Sequence, residues 1–311
     1  MFEMRRRLAI LGFVVGAWLP ACGTLLAAPD DDESKTPEQV AGGDGGNVDG
    51  TIGTADGSST KETGAPIDAA DVLVSTDATP DAPLSVSDKY RAAVTADGPI
   101  AYWRFGEALG ATTFVSETNQ YPLVAGAGTK APSITVPGIF GNTSHALLFN
   151  GTLGMNASVS NFPFLSTTFT FEAWIKVTTA LDNLFRHVFQ HSNGSISYGI
   201  YLYSPEGIVI ERIQNGNKTQ KQALTFALNT WHHVVATRDT TTLHLYIDGV
   251  EQATGGTFAT NAAQAGNFML GAKSAGEDSL PNDTSIAEVA VYDKALSAQR
   301  ITAHRTAGLL F

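Results

Sequence analysis

Phe169-Thr170-Phe171-Glu172-Ala173-Trp174-Ile175-Lys176-Val177 alternates in steps of two, with Phe169, Phe171, Ala173, Ile175 and Val177 sharing one side. Successive side chains of a strand point to opposite faces, so this run describes a β-strand whose apolar side closes on a core. Similar runs follow on its C-terminal side. Tyr198–Tyr203 and Ile208–Ile213 flank Ser204-Pro205-Glu206-Gly207, the mark of a hairpin, and Asn215-Gly216 marks the next turn. Trp231–Thr237 reads as another strand. Leu243–Ile247 leads into Asp248-Gly249, a dipeptide that tolerates the positive φ angles of a type I′ turn. Phe268–Gly271 and Ile286–Tyr292 complete the set, and one helix is expected at the end, capped by Ser297 and running through Ile301 to Arg305. Many short strands with little helix specify an all-β sandwich of two stacked antiparallel sheets.

Composition divides the 311-residue chain unevenly. Between Gly23 and Ser87 there is no Phe, Tyr or Trp, and such a stretch cannot bury enough apolar surface to offset the entropy of ordering. Residues 22–88 are therefore expected to form a disordered acidic linker, and 89–311 the folded domain. Charge follows the same division. Residues 23–88 hold fourteen acids against Lys35 and Lys61, whereas 89–311 hold fourteen bases against fifteen acids, so the net −11 belongs to the linker. A nearly neutral domain has no basic field for nucleic acid and no polybasic segment for anionic lipid. Within the linker, Gly42-Gly43-Asp44-Gly45-Gly46-Asn47-Val48-Asp49-Gly50 echoes a calcium-binding β-roll repeat. It occurs once, where several stacked turns are needed, and reads as Gly/Asp linker.

The N-terminus reads as an export signal. A basic start with Arg5, Arg6 and Arg7 precedes apolar Leu8–Trp18, too short for the about 20 residues that span a bilayer. Leu19-Pro20-Ala21-Cys22 then resembles a bacterial lipobox. That resemblance implies a signal peptide over 1–21 and a diacylglycerol on Cys22, the only cysteine in the chain. The competing reading, cleavage after Leu26-Ala27-Ala28, would put a bulky Leu where secretory signals carry a small residue. Gly23 in place of the Asp that retains such lipoproteins at an inner membrane points to the outer membrane or cell surface.

In the domain, Pro99-Ile100-Ala101-Tyr102-Trp103-Arg104-Phe105-Gly106-Glu107, Ala146-Leu147-Leu148-Phe149-Asn150-Gly151, Phe169–Trp174, Trp231–Thr237, Leu245–Val250 and Ala287–Ser297 follow in order. These blocks resemble the laminin-G-like domains of the concanavalin A-like lectin/glucanase superfamily over about residues 89–311. The resemblance implies a jelly-roll sandwich and, in related sandwiches, a structural Ca²⁺. Relatives carry Phe-Asp-Gly at Phe149-Asn150-Gly151 and Ile-Asp-Glu at Ile286-Ala287-Glu288. Calcium prefers charged oxygen ligands, so this chain is left at most a weak site drawing on backbone carbonyls and Glu107 or Glu288. No metal ligand or cofactor is assigned.

Catalytic signatures are sparse. The Glu-x-Asp-x-Glu run of laminarinase-type glucanases is missing. Glu277 and Asp278 are adjacent, and Glu172 and Glu288 are isolated carboxylates read as solvent-facing or supporting. His187-Val188-Phe189-Gln190-His191 puts two imidazoles on one strand face without a visible third ligand, so it reads as an incidental pair. Adjacent His232 and His233 face opposite ways on a strand, and the resemblance implies that His233 is structural. Trp103, Trp174 and Trp231 could stack on sugars but lie in core-patterned strands. The expectation is a membrane-anchored binding module rather than an enzyme, with carbohydrate or glycoprotein as partner. A protein–protein adhesion or scaffold module and a divergent glycoside hydrolase are the alternatives.

Overall fold

The structure is a computed structural model that describes residues 83–135, 137–163, 168–204, 207–214, 216–223, 227–252, 265–273 and 278–309. The signal segment, Cys22 and the linker up to residue 82 lie outside the described residues. Helix α1 spans Val86–Ala96 and helix α2 spans Ala298–Leu309. Between them run β1 (Ala101–Trp103), β2 (Thr113–Phe114), β3 (Leu123–Ala125), β4 (Ser133–Thr135), β5 (Ala146–Asn150), β6 (Ala157–Phe162), β7 (Phe169–Val177) and β8 (Arg186–Ser192). They are followed by β9 (Ile196–Tyr203), β10 (Gly207–Gln214), β11 (Asn217–Ala223), β12 (Trp231–Arg238), β13 (Leu243–Ile247), β14 (Val250–Glu251), β15 (Gly266–Leu270) and β16 (Asn282–Tyr292). Helix α1 was not anticipated. Ser85 caps it, its Oγ accepting from Asp88 N at 3.1 Å, so the helix begins three residues before Lys89.

The strands form two antiparallel eight-stranded sheets. The first runs β14-β13-β12-β7-β16-β5-β4, with β1 also paired to β16, and the second β11-β10-β9-β8-β15-β6-β3-β2. The alternation of β7 holds as read. Phe169, Phe171, Ala173, Ile175 and Val177 enter the core between the sheets, where Phe171 stacks on Phe189 at 3.9 Å between ring centres. The expected turn at Asp248-Gly249 has φ of +54° and +76°.

A second apolar layer forms on the other side of the first sheet. Tyr90 and Val94 of α1 and Leu296 and Ile301 at α2 cover Trp174, Val235, Ala287, Ala290 and Tyr292. This layer encloses Glu172, which is fully buried. Its carboxylate accepts from Tyr90 Oη at 2.7 Å and Tyr292 Oη at 3.0 Å, and lies 2.8 Å from His233 Nε2 and 3.0 Å from His304 Nδ1. Burial alone would raise this acid, but His304 and His233 hold it well below the usual carboxylate range. Burial and the neighbouring Glu172 push the Tyr90 and Tyr292 hydroxyls up, so both stay protonated donors. At the rim Asp97 accepts from Arg300 Nε at 2.8 Å and lies 2.9 Å from His304 Nε2.

Glu172→Ala leaves four polar groups in the apolar layer without their acceptor. Breaking a buried ionic network costs about 3–5 kcal/mol, so chemical denaturation should show a loss of that size, with exchange protection of α1 and α2 falling first. An unchanged midpoint would show that the network does not hold the helices.

Candidate functional site

The residues singled out in the sequence are dispersed by the fold. Glu172 is the buried anchor just described and faces no solvent. Glu288 is also buried, at 1% exposure, but in a different setting. It sits in a bulge of β16, where the register against β7 shifts between Ala287 and Ala290, and it has φ of +52°. The bulge turns its carboxylate toward Tyr102, whose hydroxyl donates to it, and toward Arg104 Nε at 3.2 Å. Of the two readings the sequence left open, solvent-facing or supporting, the first fails for both glutamates, because helices cover one and a bulge redirects the other.

Burial pushes Glu288 up to about 7 against the pull of Arg104. The native state therefore holds this proton more tightly than the unfolded chain does. The associated stability is complete below the ordinary glutamate range and is lost as pH rises toward 7. Each unit corresponds to 1.36 kcal/mol, so the loss is about 3 kcal/mol. Glu288→Gln removes the ionisation. Its melting midpoint should gain on the parent by several degrees between about pH 5 and about pH 8. A gap that does not move with pH would contradict this protonation.

The two positions where relatives carry acids do not share a site. Asn150 is exposed at the end of β5 and pairs with Asn282, and its Oδ1 accepts from Thr152 N. Ala287 is fully buried beneath the helices opposite Trp174, about 16 Å further along β16. The two substitutions therefore cannot both be losses from one calcium site. No group of three or more His, Cys, Asp or Glu stands ready for a metal among the described residues. Glu107 accepts from Val115 N at 2.6 Å through Oε1, and Glu277 lies outside the described residues.

The histidine pair on β8 is split by a register shift between His187 and Phe189 that sends both Val188 and Phe189 into the core. His187 is left out of phase with His191 and packs on Tyr201. Burial lowers His187 to about 4 and His191 to about 3, so both are neutral near pH 7. His232 and His233 do diverge, His232 to Asp248 Oδ2 at 2.7 Å and His233 to Glu172. Trp103 and Trp174 are core residues. Trp231 is half-buried with Lys176 Nζ 5.3 Å from its ring centre.

Aromatic surface instead gathers on the outer side of the second sheet. Ile200 and Leu202 of β9 and Ile208 and Ile210 of β10 face the core, so Tyr201, Tyr203 and Glu211 project outward. Phe185, just before β8 and 41% exposed, stacks on Tyr203 with centres 4.9 Å apart and planes 12° apart, and meets Tyr201 edge-on at 5.2 Å. Polar groups border the rings. Gln220 Nε2 donates to Tyr201 Oη at 2.6 Å and to Glu211 at 2.7 Å, and Lys218 pairs with Glu211 at 3.2 Å while lying 5.5 Å from the Phe185 ring centre. Flat apolar faces edged by donors and acceptors suit a ligand with one apolar face and hydroxyls around its rim.

Residues 150–302 match the family model Laminin_G_3, described as the concanavalin A-like lectin/glucanases superfamily. Among solved structures, the binding domain of botulinum neurotoxin serotype G is similar at 12% identity and a TM-score of 0.52, over 67% of this chain and 50% of that one. The serotype D binding domain is similar at 16% identity and 0.52, over 70% and 53%. Trypanosoma rangeli sialidase in complex with 2,3-difluorosialic acid is similar at 13% identity and 0.51, over 72% and 38%. The chain thus spans about half the length of the toxin domains, and these likenesses establish the fold. No curated protein matches the sequence. Residues 150–302, just under half of the chain, thus match a model of the concanavalin A-like lectin/glucanase superfamily, and the two antiparallel sheets form a jelly-roll-like sandwich consistent with that fold.

Proposed function

We propose that this protein is a membrane-anchored surface lipoprotein whose laminin-G-like domain binds carbohydrate, free or on a glycoprotein, without transforming it. The observation that carries the binding reading is the stack of exposed Phe185 on half-buried Tyr203, bordered by Lys218, Gln220 and Glu211. A pyranose presents an apolar C–H face to such rings and its hydroxyls to the flanking amide, carboxylate and ammonium. The carboxylate arrangement supports binding over hydrolysis. Glu172 is saturated beneath the helices, and the Glu211 carboxylate on the aromatic surface is tied to Lys218 and Gln220. Anchoring is read from Leu19-Pro20-Ala21-Cys22, where a diacylated thiol would hold the chain firmly, since one acyl chain gives only marginal membrane affinity.

Cys22→Ser should shift the protein from the membrane to the soluble fraction on cell fractionation, and unchanged partitioning would refute the anchor. The soluble variant then serves for a glycan array. Saturable retention of at least one saccharide is expected, with Phe185→Ala and Tyr203→Ala each weakening it about tenfold at unchanged melting temperature. Aromatic stacking contributes ~0.5–1.5 kcal/mol beyond buried area, and 1.4 kcal/mol is a factor of ten. An array without a retained glycan, or release of reducing sugar, would overturn the reading.

A further inference from the structure

A second concavity lies away from the aromatic surface. It is a cleft of about 640 Å³ between α1, the segment following β1 and the bulge of β16. Charges of both signs line it. Arg91 donates through Nε and Nη2 to Glu117 Oε2 at 2.9 and 2.6 Å, leaving its Nη1 unbonded. Arg104 gives Nε to Glu288 and Nη2 to Ser87, while its Nη1 stops 3.9 Å from Glu117 Oε1. On the carboxylate side, Glu107 Oε2 is buried with no hydrogen-bond partner. The wall therefore keeps Arg91 Nη1 without a protein partner, Arg104 Nη1 held only by a long 3.9 Å ion pair to Glu117 Oε1, and a buried Glu107 Oε2 without a hydrogen bond. Such a buried polar atom calls for a ligand or ordered water.

The backbone is unusual at the same place. Phe105, Asn119 and Glu288, all lining the cleft, have φ of +60°, +57° and +52°. Left-handed conformations of residues other than glycine persist where the surroundings over-determine them, and they gather at ligand sites. The phenyl ring in the wall, Phe105, is 1% exposed, and the other ring there is the half-buried imidazole of His145, so the lining is mainly charged and polar. A simple anion would satisfy the arginines and leave the carboxylates, and a simple cation the reverse. A molecule carrying both charges a few bonds apart answers both sides at once.

We propose that this cleft binds a small zwitterion of the α-amino-acid type, with its carboxylate on the Nη1 ends of Arg91 and Arg104 and its ammonium on the Glu107–Glu117 side. The site is separate from the aromatic surface and does not rest on the carbohydrate reading. The pair Arg91–Glu117 is partly exposed, and such pairs contribute little to stability, so Arg91→Gln leaves the fold intact.

The test is thermal unfolding of the Cys22→Ser full-length chain with the common α-amino acids presented singly at millimolar concentration, beside glucose and N-acetylglucosamine. At least one amino acid should raise the midpoint by about 5 °C, since a ligand well above its Kd stabilises the native state it binds. Its N-acetylated and methyl-ester forms should not. Arg91→Gln and Glu107→Gln should each abolish the shift, while Phe185→Ala, which weakens glycan binding, should leave it intact. No shift with any amino acid, an equal shift with the blocked forms, a shift with the sugars alone, or a full shift in both charge-removing variants would overturn the proposal.

Discussion

A carboxylate removed from water must find donors, and Glu172 dictates much of this architecture by that rule. Its position is forced. Phe171 and Ala173 belong to the core, so the residue between them points to the opposite side of the sheet. Its donors come from β12, β16 and the two helices at the ends of the domain, through His233, Tyr292, Tyr90 and His304. Satisfying one charge thus fastens α1 and α2 over the first sheet and closes that side with Trp174, Ala287 and Ile301. Among the described residues neither α-helix packs on the second sheet, and its outer side carries the Phe185–Tyr203 stack.

Glu172 and Glu288 show how setting decides the state of one residue type. Both are buried, but Glu172 meets four donors and remains a charged anchor, whereas Glu288 faces Arg104 and Tyr102 with Glu117 nearby. Desolvation prevails in the second case and is offset in the first. The bulge that delivers Glu288 requires a left-handed backbone in a non-glycine residue, a cost tolerated because β1, β7 and β16 fix the surroundings.

Much of the sandwich was legible because strand alternation is local: β7, β9, β10, β12, β13 and β16 follow from residues two apart. The misreadings are non-local. Helix α1 follows an aromatic-free stretch and buries Tyr90, Val94 and Ser87, so the linker's polar composition hid it. Ser85 with Asp88 three residues on, and Tyr90 with Val94 four apart, were the available signals. Glu172 was open to a solvent-facing as well as a supporting reading because nothing in β7 announces a helix above it. The β8 histidines looked co-facial because a bulge leaves no mark in an alternating pattern. Phe185 and Tyr203, outside one strand and at the end of another, become neighbours only when β8 and β9 pair, so the aromatic surface was not legible at all.

The central claim is a division of labour, with the helix-covered sheet structural and the aromatic face of the other sheet recognising sugar. Hydrogen–deuterium exchange of the Cys22→Ser chain with and without a saturating glycan tests it most directly. The account predicts added protection in residues 184–187, 201–203 and 217–222, with α1 and α2 unchanged. Protection confined to α1 and residues 104–119 would place sugar recognition in the charged cleft and contradict it.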